Sequence, residues 1–397
     1  MPRLVRSLAL TATLLGISVV PAHEAVAADT DGWRAVRSPD VRQPYSLTDV
    51  VATSATDAIA VGHAGDRGAV VLRSTGGRWK ADNRLPTEPA PTNLSGVDAS
   101  GPNNVWAVGA TVDDATNLIR PLAEHWDGRK WQAITGLADP SLDSEFFDVT
   151  VASSSIVWAV GNELSVPPLS PIAQRWDGRQ WTRFPLPHPF NTFVEVLAVE
   201  AVGPNDVWAI GHGRSGATLD LLPIAWHWNG TEWSHVLMPR LGAVQVTPTD
   251  LVAVSPTEIW AVGYKLVRLD DPGNLPAVER WDGTAWQGVA GPDLPPDVYP
   301  HATLDAVAAD GQGGIWAAGS TVAPNFPIEP SFTSFFAHFD DGSWAVQIEP
   351  DSLQGEIRGL TQLPGTTTLW AVGATRDRIG GCGPCRGLIG LFGPSPR

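Results

Sequence analysis

The chain has 397 residues, with 26 Lys and Arg against 42 Asp and Glu and a formal charge of −16. So acidic a surface excludes nucleic acid as an expected partner, because it offers no basic field to neutralise phosphates. No apolar run reaches the roughly 20 residues that a membrane-spanning helix needs, so no membrane partner is expected.

At the start, Met1-Pro2-Arg3-Leu4-Val5-Arg6 carries positive charge, Ser7 to Ala22 is apolar, and Ala25-Val26-Ala27 supplies small residues. That order reads as a secretory signal peptide over residues 1–27, cleaved before Ala28, and predicts a secreted, extracellular, monomeric product. Only Lys80, Lys130 and Lys265 represent lysine, a bias that points to a high-GC source such as an actinobacterium. Residues 28–397 are read as one domain.

Within it, Asp31 to Val36 reads as a lone strand. Then the string Val-Trp-Ala-Val-Gly recurs with small changes at 105–109, 157–161, 207–211, 259–263, 315–319 and 369–373, after a worn copy at 58–62. Seven copies roughly 50 residues apart match a propeller blade better than a helical repeat. A hairpin signal follows most copies, as in His125-Trp126-Asp127-Gly128-Arg129-Lys130-Trp131. Asp-Gly or Asn-Gly between aromatic runs predicts a tight turn of two residues with positive φ. A further apolar run precedes each copy, such as Leu94–Ala99.

Each unit thus holds four strands, here called a, b, c and d in chain order. Strand b is apolar at nearly every position, as expected where both faces of a sheet are covered. The predicted fold is an all-β, seven-bladed propeller of four-stranded antiparallel blades. The last unit lacks a strand d, and Asp31–Val36 is expected to supply it, closing the ring and removing exposed sheet edges.

These repeats resemble the kelch and galactose-oxidase-like propellers, and most of all the secreted seven-fold Trp-Ala-Val-Gly repeat proteins of actinobacteria. The resemblance implies the fold over nearly the whole mature chain and says little of activity. One departure is that kelch repeats carry a double Gly after the apolar strand, where this chain has a single one. Copper chemistry of the galactose oxidase kind needs His and Tyr ligands with one Tyr cross-linked to a Cys; only Tyr45, Tyr264 and Tyr299 exist and both Cys are expected to pair with each other, so no cofactor and no metal are expected.

The d-to-a and b-to-c loops share one face and vary in length, whereas the opposite turns are short and nearly constant. Variation on a fixed scaffold marks a binding face. Its candidate ligand-binding residues are His63, His212, Tyr264, Tyr299, His301 and Phe326. Asp49, Asp148, Asp250 and Asp305, read as equivalent positions of strand a, line the channel. They are read as acceptors for backbone N–H groups of the neighbouring turn, with a cation ring or an acid–base pair as the alternative. The recurring Arg73, His125, Arg175, His227, Arg280 and His338 are read as partners stacked on Trp. Cys382-Gly-Pro-Cys385 is expected to close a small-loop disulfide. The expected function is a binding module that recognises a glycan or a protein through the loop face. The alternative is a polysaccharide hydrolase or lyase at the channel mouth.

Overall fold

Runs of β-branched and aromatic residues broken by Gly, Pro, Asp and Asn yield strands. The computed structural model contains 28 of them and no α-helix among the described residues. It describes residues 32–41, 44–65, 68–85, 92–113, 115–136, 142–165, 169–214, 216, 220–270, 273–295, 301–322, 332–348, 353–375 and 385–396. The strands form seven four-stranded antiparallel sheets, blades 1 to 7, and blade 7 takes its fourth strand from the N-terminal segment. Strands a pack on one another around the ring, Ser46–Ala52 touching both Thr92–Gly101 and Glu356–Gln362.

The closure follows the predicted form. Arg34 pairs with Leu391 and Ala35 with Gly390, and Val36 N–H donates to the Ile389 carbonyl at 2.8 Å. Trp33 is buried there, stacked on Phe336 at 3.7 Å and set edge-on to Trp316 at 5.8 Å.

That edge-on contact repeats around the ring. The strand-d Trp of one blade meets the strand-b Trp of the blade before it in Trp79–Trp370, Trp181–Trp106, Trp233–Trp158 and Trp286–Trp208, at 5.1–5.8 Å and 79–88°. Edge-to-face is the favoured geometry of two quadrupoles. It also lets a ring face meet an indole N–H, and those of Trp33, Trp79, Trp181, Trp233 and Trp286 lack an oxygen acceptor. Strand b is buried on both faces, as in Val157–Glu163, where every residue is buried.

Every strand a carries a bulge opposite the Gly that ends the Trp-Ala-Val-Gly string; the extra residues are Thr48, Ser95, Phe147, Leu197, Thr249, Asp305 and Arg358. The bulge pushes a strand-a carbonyl toward strand b. A Cβ on Gly62, Gly109 or any of their five counterparts would overlap the oxygen of Ser46, Asn93 or the equivalent residue. This fixes the repeat's Gly sterically.

The hairpins depart from the two-residue expectation. Blades 1 and 6 have it, with Gly76-Gly77 and Asp341-Gly342 all at positive φ. In blades 2 to 5 the Trp pairs directly across the hairpin, as Trp126 does with Trp131, which leaves a four-residue loop. Asp127 Oδ1 accepts from the N–H groups of Arg129 and Lys130 at 2.8 and 2.9 Å, and Asp177, Asn229 and Asp282 repeat the pattern. The side chain substitutes for the backbone bond of a tighter turn.

Candidate functional site

The channel is lined by strand a, and its carboxylates are occupied. Asp49 Oδ1 accepts from the N–H of Val50 at 2.7 Å, and its Oδ2 accepts from Val97 of the next blade at 2.8 Å. Asp148 spans Val149 and Val199 at 2.8 Å each, and Asp250 spans Leu251 and Val307 likewise. Each is a clip between adjacent blades, the acceptor role expected of them, but directed at the neighbouring strand instead of a turn.

Asp305 breaks the expected equivalence. It is the bulge residue of its strand, and the register partner of Asp49 in blade 6 is Ala306. Its Oδ2 accepts from Thr303 Oγ1 at 3.0 Å. The spacing agrees: Asp305 stands 14 residues before Gly319, whereas Asp49, Asp148 and Asp250 each stand 13 before Gly62, Gly161 and Gly263.

Two clips escaped sequence reasoning. Asp98 bridges Ala99 and Val151 at 2.6 Å each, and Glu200 accepts from Ala253 at 3.4 Å. They belong to blades 2 and 4, where the Asp49 position holds Gly96 and Ala198. The reason is space. A Cβ on Gly96 would lie 2.8 Å from Asp148 Oδ1, and one on Gly359 would lie 2.9 Å from Asp49 Cα. An Asp at this level therefore needs a small residue on the preceding blade; in blades 2 and 4 the acid stands two residues further along the strand, and in blade 7 Thr361 takes that place.

Burial pushes these carboxyls up, Asp148 to about 8 and Asp250 to about 7, with Asp49, Asp98 and Glu200 also raised. Repulsion from Asp148 adds to the shift on Asp49, and that from Asp98 to the shift on Glu200. The amide donors pull the other way and are outweighed. All five side chains are half-buried, open to the channel but enclosed by protein, so water moderates the penalty.

At the loop face, the residue after each strand-b Gly stands opposite the first turns of strand a. His63 faces Ser46, His212 faces Glu195 and Tyr264 faces Thr247. His301 begins strand a of blade 6, paired with Val322. These four lie on different blades; Tyr299 and Phe326 fall outside the described residues.

His212 is buried, and its Nε2 is 3.3 Å from Glu195 Oε2. Burial, then Arg214, pushes its pKa down to about 4, so it is a neutral imidazole. His63 is lowered by burial and by Arg358. A cleft of about 250 Å³ runs from His63 across Thr92, Asn93, Thr111 and Ile119 of blade 2 to Glu145 of blade 3. Glu145 has no hydrogen-bond or ion-pair partner among the described residues, and burial raises its pKa. It was missed because it carries no motif; its signal is its register opposite Asn162, the residue after the blade-3 Gly.

Five of the six recurring bases stack on a Trp as expected, Arg73 on Trp126 of the next blade at 4.3 Å, and Arg175 shows no such contact among the described residues. His125, His227 and His338 lie on Trp106, Trp208 and Trp316 at 4.4–4.5 Å, each held by Asn104, Asp206 or Asp310 at 2.8 Å. Arg280 lies over Trp260 at 5.4 Å. Cys385 is buried beside Tyr45 at the closure, while Cys382 lies outside the described residues.

No protein-family model matches the chain, and no curated protein matches its sequence. Solved structures do. The β-propeller domain of Cps50 (Swd1) from Myceliophteria thermophila is similar at a TM-score of 0.55 and 12% identity, covering 91% of this chain and 99% of that one. YCF48, solved bound to a D1 peptide, gives a TM-score of 0.55 at 12% identity over 92% and 97%. The chain is a seven-bladed β-propeller. At such identity the likeness carries the propeller architecture alone.

Proposed function

We propose that the protein is an exported, monomeric binding module that holds a peptide segment of a protein partner on its loop face, without a cofactor. The observation that carries this reading is the contrast between the two sets of acids. The channel carboxylates Asp49, Asp98, Asp148 and Asp250 are spent on backbone N–H groups, whereas the side chains of Glu145 and His63 line a loop-face cleft and have no hydrogen-bond partner among the described residues. A hydrolase of the glycosidase kind needs two carboxyls free to act as acid and base or nucleophile, and the channel clips are not free.

The propeller of YCF48 holds a D1 peptide, which supports a peptide over other polymers by analogy. Export rests on residues 1–27, and the resemblance to secreted Trp-Ala-Val-Gly repeat proteins agrees with it. In that setting Cys382 and Cys385 would be oxidised to a disulfide.

Immobilised protein is screened against a random peptide library and a glycan array, beside a polysaccharide-release assay. Peptide capture that loop-face substitutions abolish is the expected result. Glycan capture alone would replace the ligand class, and turnover of a polysaccharide without capture would restore the hydrolase or lyase reading.

A further inference from the structure

The cleft across blades 1, 2 and 3 has a definite chemistry. Its volume, about 250 Å³, is below the range of pockets that enclose a drug-sized ligand, so it suits a single side chain. Half-buried Val112 and Ile119 form an apolar wall suited to a methylene stem. The Glu145 carboxylate closes one end, with no hydrogen-bond or ion-pair partner among the described residues. At the other end His63 neighbours Arg358, and that guanidinium is engaged with Glu356 Oε2 at 2.9 Å.

Blade 2 supplies polar groups that are already in use. Asn93 Oδ1 accepts from Ala110 N–H at 2.8 Å, and the hydroxyls of Thr92 and Thr111 meet at 3.4 Å. Among the described lining residues, the strong group left unmatched is therefore an anion beside an apolar wall.

We infer that this cleft is a specificity pocket for a basic residue, Arg or Lys, of the bound peptide, with Glu145 as its counter-ion. The inference rests on the peptide-binding reading above. An acidic ligand would meet Glu145 with like charge. A sugar would leave the carboxylate's charge uncompensated. The molecule's net charge of −16 also steers cationic segments toward it.

The test uses the whole protein and a phage-displayed random peptide library. Selected peptides are expected to share Arg or Lys at one position. Glu145→Gln should weaken them about ten- to a hundredfold, the range for losing a charged partner, with an unchanged melting curve. Raised salt should weaken wild-type binding more than that of the variant. Glu145→Lys should reselect peptides with Asp or Glu at that position.

Peptides that bind the loop face with no shared basic residue, or equally well with Glu145→Gln, would overturn the pocket and leave the binding module standing. Absence of any selected peptide would overturn both. If Glu145→Lys fails to fold, the isosteric Gln variant alone decides.

Discussion

An aspartate whose two oxygens hold N–H groups of two different blades acts as a fastener, and its protonation state then matters to the whole ring. The folded values are raised, to about 7 for Asp250 and about 8 for Asp148, so the native state binds protons that the unfolded chain releases. The stability from this source is complete below the unfolded pKa and is lost as pH rises through the folded values. Melting temperature should therefore decline from about pH 5 to about pH 8; a rise over that window in a buffered calorimetric series would refute it. Below the unfolded range the exposed turn carboxylates, such as Asp282 at about 2, act with the opposite sign.

Asp250→Asn should flatten the decline. It should also cost about 1–3 kcal/mol, because one amide cannot accept from both Leu251 and Val307. Gly96→Ala tests the steric side of the same design. Its methyl would press on Asp148, and an overpacking loss of about 1–3 kcal/mol is expected in denaturant titration; a neutral result would show that the Asp148 clip can move aside.

Among the elements, the N-terminal strand is the shortest, Arg34–Ala35, yet it carries a fully built wedge through Trp33. Trp33→Ala should lose about 3–5 kcal/mol, the cost of truncating a buried Trp, read as a fall in the unfolding midpoint. A small change would mean that the pairing of Ala35 with Gly390 suffices without the ring. The strand was legible in the sequence, because Asp31-Gly32-Trp33 echoes the hairpin units and the last repeat lacks a strand d. The bulges were not legible, since nothing in Thr48, Phe147 or Asp305 as residue types announces an extra place in the ladder; the place of Asp305 was legible, because it stands 14 residues before its Gly where the other three Asp stand 13. The four-residue hairpins were hidden for a related reason. Asp-Gly fits both turn lengths, and the choice is made by Trp126 pairing with Trp131. Glu145 was illegible because its distinction is the lack of a partner, and only packing reveals that.

For the whole molecule, the first and last described strands meet in one blade. Arg34 donates to the Gly393 carbonyl at 2.6 Å and to Ser395 Oγ at 3.0 Å, so the first and last described segments are neighbours across a completed sheet. A circular permutant that starts at Ser46 and carries residues 32–41 after Pro396 through a short flexible linker should fold to the same ring. Its melting temperature should stay within a few degrees of the parent; aggregation, or loss of the cooperative transition, would show that closure depends on where the chain begins.

The alternation of Asp with a small residue at the first level of strand a has one further consequence. Asp49, Gly96, Asp148, Ala198, Asp250, Ala306 and Gly359 follow one another around the channel. A two-state pattern on a circle closes only when the number of places is even. With seven, a mismatch is unavoidable, and it falls as two small residues side by side in blades 6 and 7. The defect thus sits next to the seam where the chain joins itself, and blades 7 and 1 are linked there by Thr361 Oγ1 accepting from Ala52 N–H at 3.1 Å. Parity gives an otherwise near-symmetric ring a marked position: removing blade 6 or blade 7 would leave six places in perfect alternation, whereas removing any other blade would add a second mismatch.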